Sequence, residues 1–199
     1  MATANFAVAY GGKMKIRELL VDVARILEDE ELANAISTLT ENQNQTHKVK
    51  TERLLYAYNM VLSDVSLNYL APTFTEKVAG KIFNMDDLSQ ICKKILSVTD
   101  DDGNAISYKL NRNQVILSKD GGTVTYEYIP KNKKIDDDFE HENKLISTRA
   151  FCYGVCAEYC LFCSRYEEAQ NWENKFRQAT EVKTDFKPKR LKAGARWGL

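Results

Sequence analysis

Histidine is scarce in this chain. Two residues in 199, His47 and His141, leave acid–base and nucleophilic chemistry short of its commonest agent. A charge excess of one sign is also missing. The 28 basic residues are matched by 28 acidic ones, so overall charge gives no reason to expect nucleic acid or anionic lipid as a partner. No apolar run approaches the length of a membrane-spanning helix, and no membrane association is expected. The opening MATANFAVAYGG has no basic n-region and only a short, interrupted apolar stretch, so a secretory signal is not expected. Asn44-Gln45-Thr46 spells a glycosylation sequon, which has no use without export. Cysteine is present but badly spread for a disulfide scaffold: there are five, and four crowd into residues 152–163, the pattern of a reduced, cytoplasmic protein.

What the chain does have is a core. With 44% hydrophobic and 28% charged residues, 199 residues suffice for one domain without staples. Residues 1–13 are small and uncharged apart from Lys13, and read as an N-terminal arm. From there the single domain is expected over 14–182. Ile16, Leu19, Leu20, Val23, Ile26 and Leu27 recur at three- and four-residue steps, one face of a helix. TENQNQTHKVK (40–50) reads as a polar connector. A second helix is expected from about Thr51 to Tyr69, with Leu54, Tyr58, Val61, Leu62 and Val65 as its stripe and Pro72 as its stop. The helical section is thus 14–72.

From about Glu76 the period becomes two. KKILSVT, AISYKL, QVILS and TVTYEYI are short runs rich in β-branched and aromatic residues, separated by the turn-forming DDDGN, NRN and KDGG. They imply a small antiparallel meander or partial sandwich over 76–130. KNKKIDDDFEHEN follows as a charged connector. Helical periodicity returns over 145–182 as a hairpin: one long helix from Leu145 to Cys163, a break at SRY, and a second helix over Glu167–Ala179. Helices, then sheet, then helices, with no βαβ alternation, is an α+β layout.

The cysteine segment, GVCAEYCLFCSR, contains C-x3-C-x2-C, the spacing by which the iron–sulfur loop of radical S-adenosylmethionine enzymes is written. Helical geometry gives another account. At 100° per residue Cys152, Cys156, Cys160 and Cys163 fall within an arc of about 80°, and Cys152 continues the face one turn beyond the motif. Cys152 and Cys160 are then about 12 Å apart along the axis, too far for both to hold one ion by thiolates about 2.3 Å from it. The motif also comes late, with too little chain after it for the barrel such enzymes need. The cysteines are expected to be packing residues, with no metal and no cofactor. From Ala150 to Cys163 the only charge is Glu158, so this helix should be buried all round, either by its own chain or by another subunit.

Other candidates fare worse. TDDDGN (99–104) in calcium-loop register puts Val98 and Lys109 at ligand positions, so it reads as a hairpin turn. The Gly-Gly-Lys at 11–13 lacks the earlier glycine and the hydroxyl residue of a phosphate loop. IDDDFEHE reads as a solvated acidic connector around His141. No catalytic site can be assembled, and no enzyme is expected.

The last section, KTDFKPKRLKAGARWGL (183–199), is a basic tail with Lys183, Lys187, Lys189, Arg190, Lys192 and Arg196 against Asp185. A solvated terminus is the plain reading. Trp197 beside Arg196 argues for an anchor, because both residue types are frequent interface hot spots. Such an arm suits insertion into another protein or contact with nucleic-acid phosphates.

This layout resembles the head–tail adaptor proteins of tailed bacteriophages and prophages. The resemblance runs from Met14 and includes MKIRELLVDVARIL, the helix LLYAYNMVLSDVSLNYL, a β insertion finishing in TVTYEYIPK, then RAFCYGVCAEYCLFC, YEEAQNWENKF and a basic end with ARW. It implies a non-enzymatic virion component, made in the host cytoplasm, that forms a connector ring beneath the portal. The partners implied are the portal protein, tail-completion proteins and further copies of the chain, assembled as a ring, with a monomer in isolation left open and DNA only passing through. It further implies that the C-terminal segment docks on the portal through Lys189, Arg190, Lys192, Arg196 and Trp197. Residues 1–13 have no counterpart in that layout. Two readings compete: a helical interaction module of tetratricopeptide type, for which AEYCLFCSRYEEAQNWENKF offers one repeat and no second, and the iron–sulfur enzyme.

Overall fold

The computed structural model describes residues 14–38, 44–69, 71–139 and 146–181. Five helices and six strands follow in the order α1 (Ile16–Ile26), α2 (Glu30–Thr38), α3 (Gln45–Asn68), β1 (Thr73–Val78), β2 (Ile82–Asn84), β3 (Ile91–Thr99), β4 (Tyr108–Asn111), β5 (Gln114–Leu117), β6 (Gly122–Ile129), α4 (Thr148–Phe162) and α5 (Tyr166–Glu181). The fold is α+β, as the alternation of periods implies. Three helices, rather than two, precede the β section. α1 stops where Glu28 takes a left-handed conformation (φ 60°), with Asp29 N–H donating to Ala24 O and Glu28 N–H to Arg25 O. Asp29 then caps α2 by accepting from Leu32 N–H at 3.1 Å.

α3 starts six residues before the expected Thr51. Asn44 caps it, its side chain accepting from Thr46 N–H at 3.0 Å, so half of the supposed polar connector is an exposed first turn and a half of helix. It ends at Asn68, ahead of Pro72. α4 begins at Thr148 instead of Leu145, because the Ser147 hydroxyl accepts from Ala150 N–H at 3.2 Å and sets the start; Leu145 itself lies outside the described residues.

The β section is a sandwich and not a meander. One sheet has the order β1-β6-β3, the other β2-β5-β4, and every pairing is antiparallel. Of these pairs only β4–β5 is a sequential hairpin. Both sheets feed one core: Phe83 from β2, Val115 and Leu117 from β5, Ile95 and Val98 from β3, and Val124 and Tyr126 from β6. Ile95 and Val98 are three residues apart yet face the same core, because the register shifts between Ile95 and Ser97 in β3. The DDDGN turn is as expected. Asp100 Oδ1 accepts from Asn104 N–H at 2.8 Å, and Gly103, at φ 82°, supplies the left-handed residue.

The helices build a second, larger core from α1, α2, α3, α4 and Phe176 of α5. α4 lies at its centre, packed on α1, α3 and α5 of its own chain. Phe139, from the connector, joins it and sits edge-on to Phe151 of α4 with ring centroids 5.5 Å apart. That connector is more than a solvated link. Asp137 O and Ile135 O accept from the otherwise unpaired N–H groups of Ile16 and Arg17 at the start of α1, while Asp138 and Asp136 pair with Lys15 and Arg17.

Gly154 is a point of tight packing between α4 and its neighbours. A Cβ there would lie 3.0 Å from Val61 Cγ1 of α3 and 3.3 Å from Phe176 Cδ2 of α5. Gly154→Val overpacks this junction, and urea denaturation should show a loss of about 2–3 kcal/mol. Unchanged stability would mean that the three helices do not meet so tightly.

Candidate functional site

The cysteine face is the first candidate, and the structure turns it into core. α4 is continuous through Cys152, Cys156 and Cys160, and all three are buried. Cys163 is the C-cap and half-buried, and every cysteine is a free thiol. Burial pushes the Cys152 thiol up to about 12, and the Cys156 thiol is raised further by burial and by its neighbours Cys152 and Cys160. Burial also raises Cys160, outweighing the Arg165 guanidinium that donates to its sulfur at 3.1 Å. Protonated, enclosed thiols are neither nucleophiles nor good ligands. Among the described residues no three His, Cys, Asp or Glu side chains converge so as to hold a metal ion.

The break after α4 is built without glycine. Ser164 takes φ 58°, Ser164 N–H donates to Leu161 O, and Arg165 N–H donates to Cys160 O, the pattern that closes a helix C-terminus. It sends α5 back along α4 as a hairpin.

A polar cluster in the β section is the second candidate. Tyr126 and Ser89 both donate to the Glu76 carboxylate. Burial pulls Glu76 upward, but the hydrogen bonds from Ser89 and Tyr126 more than offset it, and its carboxyl sits below the ordinary range. Burial and the Glu76 bond raise the Tyr126 phenol to about 12. The serine therefore faces a poor base, and no histidine joins them among the described residues. The cluster ties β1 and β6 to the turn before β3. His47 lies on α3, with Glu31 at 4.0 Å and Asp29 also within its electrostatic reach; His141 is outside the described residues.

Concave surfaces are the third kind of candidate. A cleft of about 780 Å³ lies where helices meet sandwich, between Leu62 and Val65 of α3, Phe74 of β1 and Tyr128 of β6. Its walls are pinned by polar links. Lys93 Nζ donates to Ser66 O at 3.0 Å and Leu67 O at 2.8 Å, at the C-terminus of α3. Asn59 exchanges two hydrogen bonds with the Lys133 backbone, at 2.7 and 3.1 Å. The second surface is a groove of about 640 Å³ between α3, α4 and α5, floored by Ala157 and Ala169 and edged by Met60, Leu161 and Tyr166. Sequence reasoning missed it. The signal was the pair Tyr56 and Met60, one turn apart and off the buried stripe of α3.

The residues expected to bind a partner, Lys189, Arg190, Lys192, Arg196 and Trp197, lie outside the described residues, with Lys183 and Lys187. They follow α5, whose last residue is Glu181. No protein-family model matches the chain, and no curated protein does.

The buried thiols carry a pH signature. The unfolded chain loses thiol protons near pH ~8.5, whereas folded Cys152 and Cys156 keep theirs, so stability falls as pH rises past that point, at up to about 1.4 kcal/mol per unit per thiol. Denaturation at about pH 8 and about pH 10.5 should show a shallower loss in a Cys152→Ala/Cys156→Ala variant than in the wild type. Equal slopes would mean that these sulfurs meet solvent.

Proposed function

We propose that the chain is a non-enzymatic structural component, a head–tail adaptor of the tailed-phage type that sits beneath a portal protein and docks through its basic C-terminal segment. The observation that carries this reading is the order of the elements. A helical body is interrupted by a β sandwich between α3 and α4, and the α4–α5 hairpin runs straight into a basic segment bearing Trp197. The use of the chemically capable side chains supports it too: the thiols fill space, and Glu76, Ser89 and Tyr126 bond to one another. Adaptors need shape and anchoring residues, and no catalytic pocket.

In this reading the body supplies the wall of a ring, and Lys189, Arg190, Lys192, Arg196 and Trp197 grip the portal. Balanced overall charge suits a conduit that lets DNA pass without holding it. The tetratricopeptide-type alternative is disfavoured by packing. The α4–α5 hairpin covers itself with α1 and α3, whereas a repeat stacks on another repeat.

Deleting residues 187–199 should abolish binding to the cognate portal in a pull-down or by calorimetry. Arg196→Ala/Trp197→Ala in the full chain should weaken it by about 2 kcal/mol or more, the scale of hot-spot loss. Normal portal binding by the truncated chain would overturn the assignment.

A further inference from the structure

The groove between α3, α4 and α5 is lined by residues a monomer ordinarily covers. Of the lining residues Tyr166 is 68% exposed and Met60 is open to solvent, and beyond them Tyr56, 55% exposed, and Phe162 are open as well. The rings of Tyr56 and Phe162 meet with centroids 5.2 Å apart, so the apolar strip continues past the groove's end. Contiguous exposed apolar surface of this kind marks an interaction site.

We propose that residues 182–199 of the same chain occupy this groove, with Trp197 as the anchor among Met60, Leu161 and Tyr166. Chain length favours it. One wall of the groove is α5 itself, from Tyr166 to Arg177, and the described residues end at Glu181, one turn beyond. Those eleven steps of helix measure about 17 Å, while the 18 residues that follow can reach about 60 Å when extended. The segment has only to reverse direction to run back along the helix it comes from.

Charge and shape favour the same occupant. Lys183, Lys187, Lys189, Arg190, Lys192 and Arg196 stand against Asp185 in the segment, whereas Glu158 and Glu173 border the groove and Arg177, the one cation among its described lining residues, is paired to Glu173 at 2.9 Å. Phe186, Leu191 and Trp197 supply the apolar side chains. Tyr56, Phe162 and Tyr166 offer ring faces to an indole and to the Arg196 guanidinium. A tethered segment also meets its own groove at an effective concentration in the millimolar range, well ahead of a second copy in dilute solution.

This inference is independent of the adaptor reading, since it concerns the isolated chain. Where the chain also docks on a portal, groove and portal compete for one anchor, and the docked chain presents an uncovered groove to its neighbour.

Trp197 can be followed alone. The chain has two tryptophans, and Trp172→Phe removes the other, which stacks on Tyr153 away from the groove lining. In that full-length background Trp197 should emit at blue-shifted wavelength and be quenched by acrylamide about threefold less steeply than in two further variants. One is Met60→Lys/Tyr166→Lys, at solvent-exposed positions. The other is Lys189→Glu/Arg190→Glu/Lys192→Glu, which leaves the described body untouched and so reads docking even if the first variant folds poorly. Steep quenching in the parent overturns the proposal, and so does protection that neither variant removes. Protection that grows with protein concentration, with a dimer in sedimentation, assigns the groove to the segment of a second copy and overturns the same-chain assignment.

Discussion

α4 can lie at the centre of the helical body because one residue on it has no side chain. At Gly154 a Cβ would crowd Val61 and Phe176, and one or both would have to give way. The closeness lets α3 and α5 flank the same helix. With α1 on a further side, α4 loses nearly all contact with water over Ala150–Cys160. The buried cysteines follow from that crowding. A sulfur is small enough for a tight helix contact and apolar enough to be left there as a thiol. Packing geometry thus accounts for Cys152, Cys156 and Cys160.

Polar links help to attach the sandwich to this body. The helical and β cores are separate clusters. Lys93 caps the C-terminus of α3, Asn59 clamps the backbone at Lys133, and Tyr128 N–H donates to Pro72 O where the chain enters β1. The returning connector then closes over the start of α1. Phe139 enters the helical core while Ile135 and Asp137 offer carbonyls to the first N–H groups of α1. Entry and exit of the insertion are both stitched to helices. An inserted domain held in this way keeps its orientation without sharing a core.

Much of the fold could be read from spacing, and the failures have physical causes. The α4 stripe was readable because steps of four, four and three residues admit only one periodicity. The α1–α2 break was not, because its left-handed residue is Glu28 where glycine would have been the signal. Ser164 does the same after α4, but there the polar SRY triplet gave the break away. The start of α3 was hidden by its polar sequence, although Asn44 is a good cap. β1 and β2 escaped notice because both are edge strands with mostly exposed residues. Which strands pair is a long-range matter: β6 lies between β1 and β3, and no local pattern encodes that. The groove was missed for a related reason. Exposed Tyr56, Met60 and Tyr166 become a surface only when three helices bring them together.

Buried thiols used as packing fit the proposed reading of the chain as a structural part. That view depends on α4 being the most protected element of the chain, and native-state hydrogen exchange tests it directly. The amides of Phe151–Cys160 should exchange only through global unfolding, with the highest protection in the protein. Exchange of those amides through a low-energy local opening, as fast as in α2, would contradict it and return the cysteine face to the list of places where chemistry could occur.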